Sequence, residues 1–75
     1  MVERTIEFGV EIPMGETTWI AQVLREREAT VKSITSTRVV FDVATKREAD
    51  VLESKIHRYI APAVSAVRAG MPGAI

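Results

Sequence analysis

The chain has 75 residues, of which 47% are hydrophobic, so it forms at most one domain and its core must be thin. It contains no cysteine and a single histidine, His57, which excludes a disulfide framework and argues against a thiolate or histidine metal site. Ten basic residues balance ten acidic residues, so the chain lacks the positive field of a dedicated nucleic-acid binder. For a core this small, we expect added stability to come from oligomerisation or from a partner.

The first part of the chain predicts a strand followed by a helix. Residues 2–12, VERTIEFGVEI, alternate apolar and polar side chains, which is typical of a half-buried strand, and Pro13 and Gly15 end it. Residues 16–28 change to the helical period. The apolar side of this helix consists of Trp19, Ile20, Val23 and Leu24.

The rest of the chain predicts a hairpin and a long helix. Residues 30–35 and 38–44 form two strands, and the irregular alternation of the first indicates an edge strand or a bulge. Thr45 and Glu48 fit a helix-capping pattern. The apolar positions that follow keep a helical period up to Gly70, a residue type that often ends helices.

The order β-α-β-β-α predicts an α+β domain over residues 1–70, with a short tail at 71–75. A right-handed crossover makes the first two strands parallel, with the third strand antiparallel between them and both helices on one face. This is a ferredoxin-like arrangement without its last strand. The first strand therefore keeps an open edge, which favours pairing with another chain.

The segment IAPAVSAVRAG, residues 60–70, is the most unusual surface that the sequence predicts. Opposite the apolar side of this helix, where a lone surface helix would carry charges, it shows mostly Ala, Pro and Ser. Two interpretations stay open, a face on which another helix docks and a sparsely decorated surface. The concentration of small residues in the last turns favours docking.

The polar residues indicate no reaction. No carboxylate, histidine and hydroxyl set follows from the spacing around His57, so we expect a protein without catalytic residues, cofactor or metal. Glu3, Glu7 and Glu11 predict a solvated row on the first strand, and the alternative is a row that meets Lys32 and Arg38 across the sheet or on a partner. The start of the chain lacks the apolar stretch of a signal peptide, and no run is long enough to span a membrane, so we expect a cytoplasmic protein.

Three segments carry a resemblance to a known family. They are IEFGVEIP at the end of the first strand, RVVFDVATKREADVLESKIHRYI from the last strand into the capped helix, and VSAVRAGMPG at the helix end. In pattern and length, over nearly the whole chain, they resemble the small dimerising subunit of the KEOPS complex. That complex makes threonylcarbamoyladenosine on transfer RNA.

The resemblance implies a non-catalytic assembly subunit. In that family the subunit dimerises through its sheet and packs its helices on the catalytic threonylcarbamoyl-transferase subunit. Carried over to this chain, the docking surface would comprise Ile60, Ala61, Val64, Ser65, Val67, Ala69 and Met71. The dimer edge would comprise Thr5, Glu7, Gly9 and Glu11, and the candidate contacts to transfer RNA are Lys32 and Arg38.

Two questions stay open at this point. The short segment between the first and second strands departs from the family pattern, so the partner in the dimer is either a second copy or a small paralogue. The alternative function is a stand-alone homo-oligomer that binds RNA or a small ligand on its open sheet face. A small enzyme with a site between subunits is less favoured, because no acid and base pair stands out.

Overall fold

The computed structural model describes residues 1–70 and has the predicted α+β fold, with the element order β-α-β-β-α. The elements are β1 (Val2–Glu7), α1 (Met14–Glu26), β2 (Thr30–Ile34), β3 (Arg38–Val43) and α2 (Lys46–Arg68). The tail at 71–75, which includes the predicted docking residue Met71, lies outside the described residues.

The three strands form one sheet in the order β1-β3-β2, with β3 antiparallel to both neighbours. This confirms the strand arrangement expected from a right-handed crossover. Along β3 the side chains alternate as predicted, and the buried ones are Val39, Phe41 and Val43. Ile6 of β1 pairs with Val39, so the buried side chains of both strands share the face that the helices cover.

The first strand is shorter than predicted, because it ends at Glu7 instead of continuing to residue 12. Phe8 and Ile12 are still buried, and their backbone N–H groups donate to the carbonyls of Thr37 and Ser36 at 2.9 and 2.8 Å. Between them the chain loops outward, and Gly9 adopts a φ of +79°, which favours glycine.

This loop corrects part of the predicted dimer edge. Gly9 and Glu11 lie after the end of β1, so the prediction that they belong to the strand edge is wrong. The alternation of buried residues continues through Phe8 and Ile12 although the strand does not. Thr5 and Glu7 remain within β1.

The bulge predicted for the first hairpin strand is present in β2. Val31 pairs with Phe41 and Ser33 with Val40, so Lys32 is the extra residue between the two registers. Because of this insertion, Val31 and Ile34 both pack against the core, although their spacing does not fit a regular strand. The strand is also an edge of the sheet, as expected.

The core lies between the sheet and the two helices. Helix α1 buries Ile20, Val23 and Leu24, and α2 buries Ala49, Leu52, Ile56 and Ile60. Helix α2 begins as predicted, with the Thr45 hydroxyl accepting a hydrogen bond from the Glu48 N–H at 3.2 Å. It ends before Gly70, whose φ is +72°. Within residues 1–70, neither helix has both the length and the apolar composition of a membrane span.

Candidate interaction surfaces

The far end of α2 is the first candidate surface. The buried residues of this helix stop at Ile60, while the helix continues to Arg68. At 1.5 Å per residue, α2 is about 34 Å long. It therefore accounts for most of the longest dimension of the molecule, which measures 39 × 17 × 16 Å. Residues 61–68 thus extend past the last fully buried position of the helix.

The residues predicted to dock at this end have different environments. Ile60 is only 1% exposed and belongs to the core, so its prediction as a docking residue is wrong. Val64 and Val67 are half-buried, and Val64 packs against the core. The exposed side of the same segment carries Ala61, Ser65 and Ala69, as the sequence predicts.

The other side of the helix end faces the loop between β1 and α1. Val67 lines a depression of about 350 Å³ together with Ile12 and Pro13 of that loop. The loop also passes beneath Arg68, since a Cβ atom placed on Gly9 would lie 3.1 Å from Arg68 Nη2. The helix end is therefore partly covered within the chain, a contact that sequence reasoning missed.

The outer edge of β1 is the second candidate surface. The hydrogen bond from Phe8 to Thr37 continues the ladder with β3, and in an antiparallel ladder alternate residues bond to the same neighbour. It follows that the even-numbered residues of β1 bond to β3. The backbone N–H and C=O groups of Glu3, Thr5 and Glu7 therefore point away from the sheet. Glu3 was missing from the predicted edge, although it has the same strand parity as Thr5.

The two edges of the sheet are not equivalent. On β2, the bulge at Lys32 interrupts the register, and bulges and lysines both discourage pairing at an edge. On β1, the register with β3 is regular from Val2 to Glu7. The β1 edge is therefore the better template for another strand.

A charged cluster joins β1 to α2 on the helix side of the sheet. Arg4 Nη2 lies 2.9 Å from Asp50 Oδ1, and Arg4 Nη1 also donates to Glu53 Oε1. His57 Nε2 lies 3.5 Å from the other Glu53 oxygen. The hydrogen bonds to Glu53 and Asp50 raise the pKa of Arg4. The cluster fixes the edge strand to the long helix.

The open face of the sheet carries charges of both signs. Lys32 of β2 reaches across the central strand, and its Nζ lies 2.8 Å from Oε2 of Glu3. The Glu3 carboxylate, and next Asp42, raise the pKa of Lys32. Glu7 lies opposite Arg38 in the register. Three carboxylates and two cations give this face a net charge of −1, so Lys32 and Arg38 do not form a basic patch.

One aromatic pair closes the junction of the two helices. The rings of Trp19 and Tyr59 stack with centroids 3.5 Å apart and planes inclined by 10°. Tyr59 lies on α2 and is 39% exposed. Partial desolvation, and then the Glu16 side chain, raise the pKa of Tyr59. In the described part of the chain, no three His, Asp or Glu side chains are grouped to hold a metal ion.

Comparisons with protein-family models, with curated proteins and with solved structures found no match for this chain. The resemblance to the KEOPS subunit therefore stays a prediction from sequence pattern.

Proposed function

We propose that this chain is a non-catalytic assembly subunit of the KEOPS type, which supports threonylcarbamoyladenosine modification of transfer RNA. It pairs with another small chain through the β1 edge and docks the end of α2 on helices of the catalytic threonylcarbamoyl-transferase subunit. The observation that carries this proposal is the far end of α2. Residues 61–68 continue past the last buried position, yet their exposed side consists mainly of small residues.

The small residues suit close helix packing. Ala61, Ser65 and Ala69 are spaced four apart, so they lie on one side of α2. Small side chains at a contact allow helix axes to approach to about 8 Å. Val64 and Val67, which are half-buried, lie beside this row and have apolar surface left for a partner. Complete burial of a valine contributes about 1.5 kcal/mol or more, so each half-buried valine can add a fraction of that amount.

The alternative of RNA binding on the open sheet face has less support. It requires a basic surface, because phosphate contacts dominate the affinity of proteins for RNA. The open face instead has three carboxylates and two cations, and one of the cations, Lys32, is paired with Glu3.

A pair of substitutions on α2 tests the proposal. The tagged chain is expressed in its native cells, and the amount of catalytic transferase subunit that copurifies is measured. Ser65→Glu places a charge on the exposed row at the helix end and should reduce this amount at least about tenfold. Ser54→Glu is the matched control, since Ser54 is also exposed on α2 but lies outside residues 61–68.

Two outcomes of this experiment would contradict the proposal. Equal recovery of the transferase with both variants would contradict docking through the helix end. Recovery of the tagged chain alone, with no transferase in the wild type, would contradict the proposed function itself.

A further inference from the structure

The β1 edge has a charge pattern that restricts which strand can pair with it. Its outward-facing backbone groups belong to Glu3, Thr5 and Glu7, whose side chains all lie on the open face of the sheet. A pairing strand must therefore place its own outward-facing residues opposite these positions. If the pairing strand were shifted by one residue, its side chains on the open face would lie opposite β1 side chains on the helix face.

Two copies of the chain could pair antiparallel through β1 around a two-fold axis at Thr5, but like charges would then lie opposite each other. This antiparallel pairing aligns residues 3–7 of both copies. It places Glu3 of each copy directly opposite Glu7 of the other, twice in one interface. Like charges directly opposite each other destabilise a strand pair. Lys32 offsets the charge of Glu3, but the open face of each copy still has a net charge of −1.

Moving the symmetry axis to Arg4 creates a different conflict. Residues 2–6 are then aligned, and Arg4 lies opposite Arg4 of the other copy as a non-hydrogen-bonded pair, in which Cα atoms are only about 4.5 Å apart. Each arginine brings its partners Asp50 and Glu53, so each cluster has a net charge of −1 and meets an identical cluster. The remaining two-fold pairings align only three residues of β1, 2–4 or 5–7, which is the lower limit of strand length in globular proteins.

We infer that the strand paired with β1 belongs to a different chain and carries Lys or Arg opposite Glu3 and Glu7. This inference rests on the proposed function, which assigns the β1 edge to pairing. It adds the charge of the partner, which is a basic strand of a different chain and not a second copy. The regular register of β1 and the bulge in β2 are the reasons to place the contact on this edge.

One substitution should convert the chain into its own partner. With Glu7→Lys, the pairing through Thr5 places a lysine opposite Glu3 at both ends of the interface, so both like-charge pairs become opposite-charge pairs. We expect self-association to tighten at least about tenfold. The control is Glu11→Lys, which makes the same change at an exposed residue after the end of β1. Glu3→Lys tests the same pairing from the other position.

The measurement is the mass in solution at several concentrations, by analytical ultracentrifugation, after circular dichroism has shown that each variant is folded. We expect the wild type and Glu11→Lys to remain monomers of 8.3 kDa and Glu7→Lys to form a dimer. A wild type that dimerises below micromolar concentration would overturn it. Monomers for both Glu7→Lys and Glu3→Lys would overturn it as well.

The inference and the proposed function fail in different experiments. If a wild-type homodimer still copurifies with the transferase, the charge argument is wrong and the assembly function stands. If Glu7→Lys dimerises but no transferase is recovered with the wild type, the charge argument stands and the proposed function fails.

Discussion

Ile60 marks the end of the core along α2, and its truncation tests that boundary. Ile60 is 1% exposed, whereas Val64, one turn later, is half-buried. Ile60→Ala removes three carbon atoms from the core, which costs about 2.4 kcal/mol at about 0.8 kcal/mol per buried methylene. The cavity that remains raises the loss toward about 3 kcal/mol. In a domain of this size, that loss lowers Tm by about 12–24 °C.

Urea denaturation followed by circular dichroism measures this loss, with Val64→Ala as the control. Val64→Ala removes two carbon atoms from a half-buried side chain and should cost about 1 kcal/mol or less. If Ile60→Ala costs less than Val64→Ala, then Ile60 is not in the core. A loss of transferase binding without a loss of stability would return Ile60 to the docking surface, as the resemblance to the KEOPS subunit implies.

Three further predictions concern local features. Gly9→Ala should destabilise the protein by about 1 kcal/mol, because Gly9 has a left-handed φ. Gly15→Ala should instead stabilise the protein by about 0.5 kcal/mol, because Gly15 lies in helix α1 with free space around it. Equal effects of the two substitutions in urea denaturation would contradict this prediction. Thr45→Ala should cost about 1 kcal/mol and Thr45→Ser much less, since the serine hydroxyl still caps α2; equal losses would contradict the capping role. Tyr59 is the only tyrosine, so its tyrosinate absorbance should show a midpoint above pH 10, and Glu16→Gln should lower that midpoint. Because folding raises the pKa of Tyr59, the neutral phenol stabilises the folded protein, and this stabilisation is complete below pH 10 and is lost as the pH rises through the folded pKa. A Tyr59 midpoint at or below pH 10 would refute the raised pKa.

Local pattern was sufficient to predict most of the fold. The alternation in β3, the irregular β2 and the capped start of α2 are each set by neighbouring residues, and the structure has all three. A right-handed crossover, with β3 placed between β1 and β2, then gives the observed strand order. The end of β1 could not be found in this way. Phe8 and Ile12 keep their burial beyond the strand, and the only local signal of the loop is Gly9.

The candidate surfaces were harder to predict, because they depend on where separate elements end. A helical wheel places Ile60 and Val64 on the same side of α2, but burial stops between them. Strand alternation also places Arg4 on the apolar side of β1. Nothing in its spacing identifies Asp50 as its partner, since that contact depends on how α2 crosses the sheet.

The bulge at Lys32 determines how far the sheet can grow. A chain with two receptive edges could add copies head to tail without end, which is how open fibres form. Here the β2 edge interrupts its own register, so a strand added to β1 extends the sheet in one direction only. This chain therefore ends the sheet on its β2 side. Growth on the β1 side then depends on whether the incoming chain brings a free edge of its own.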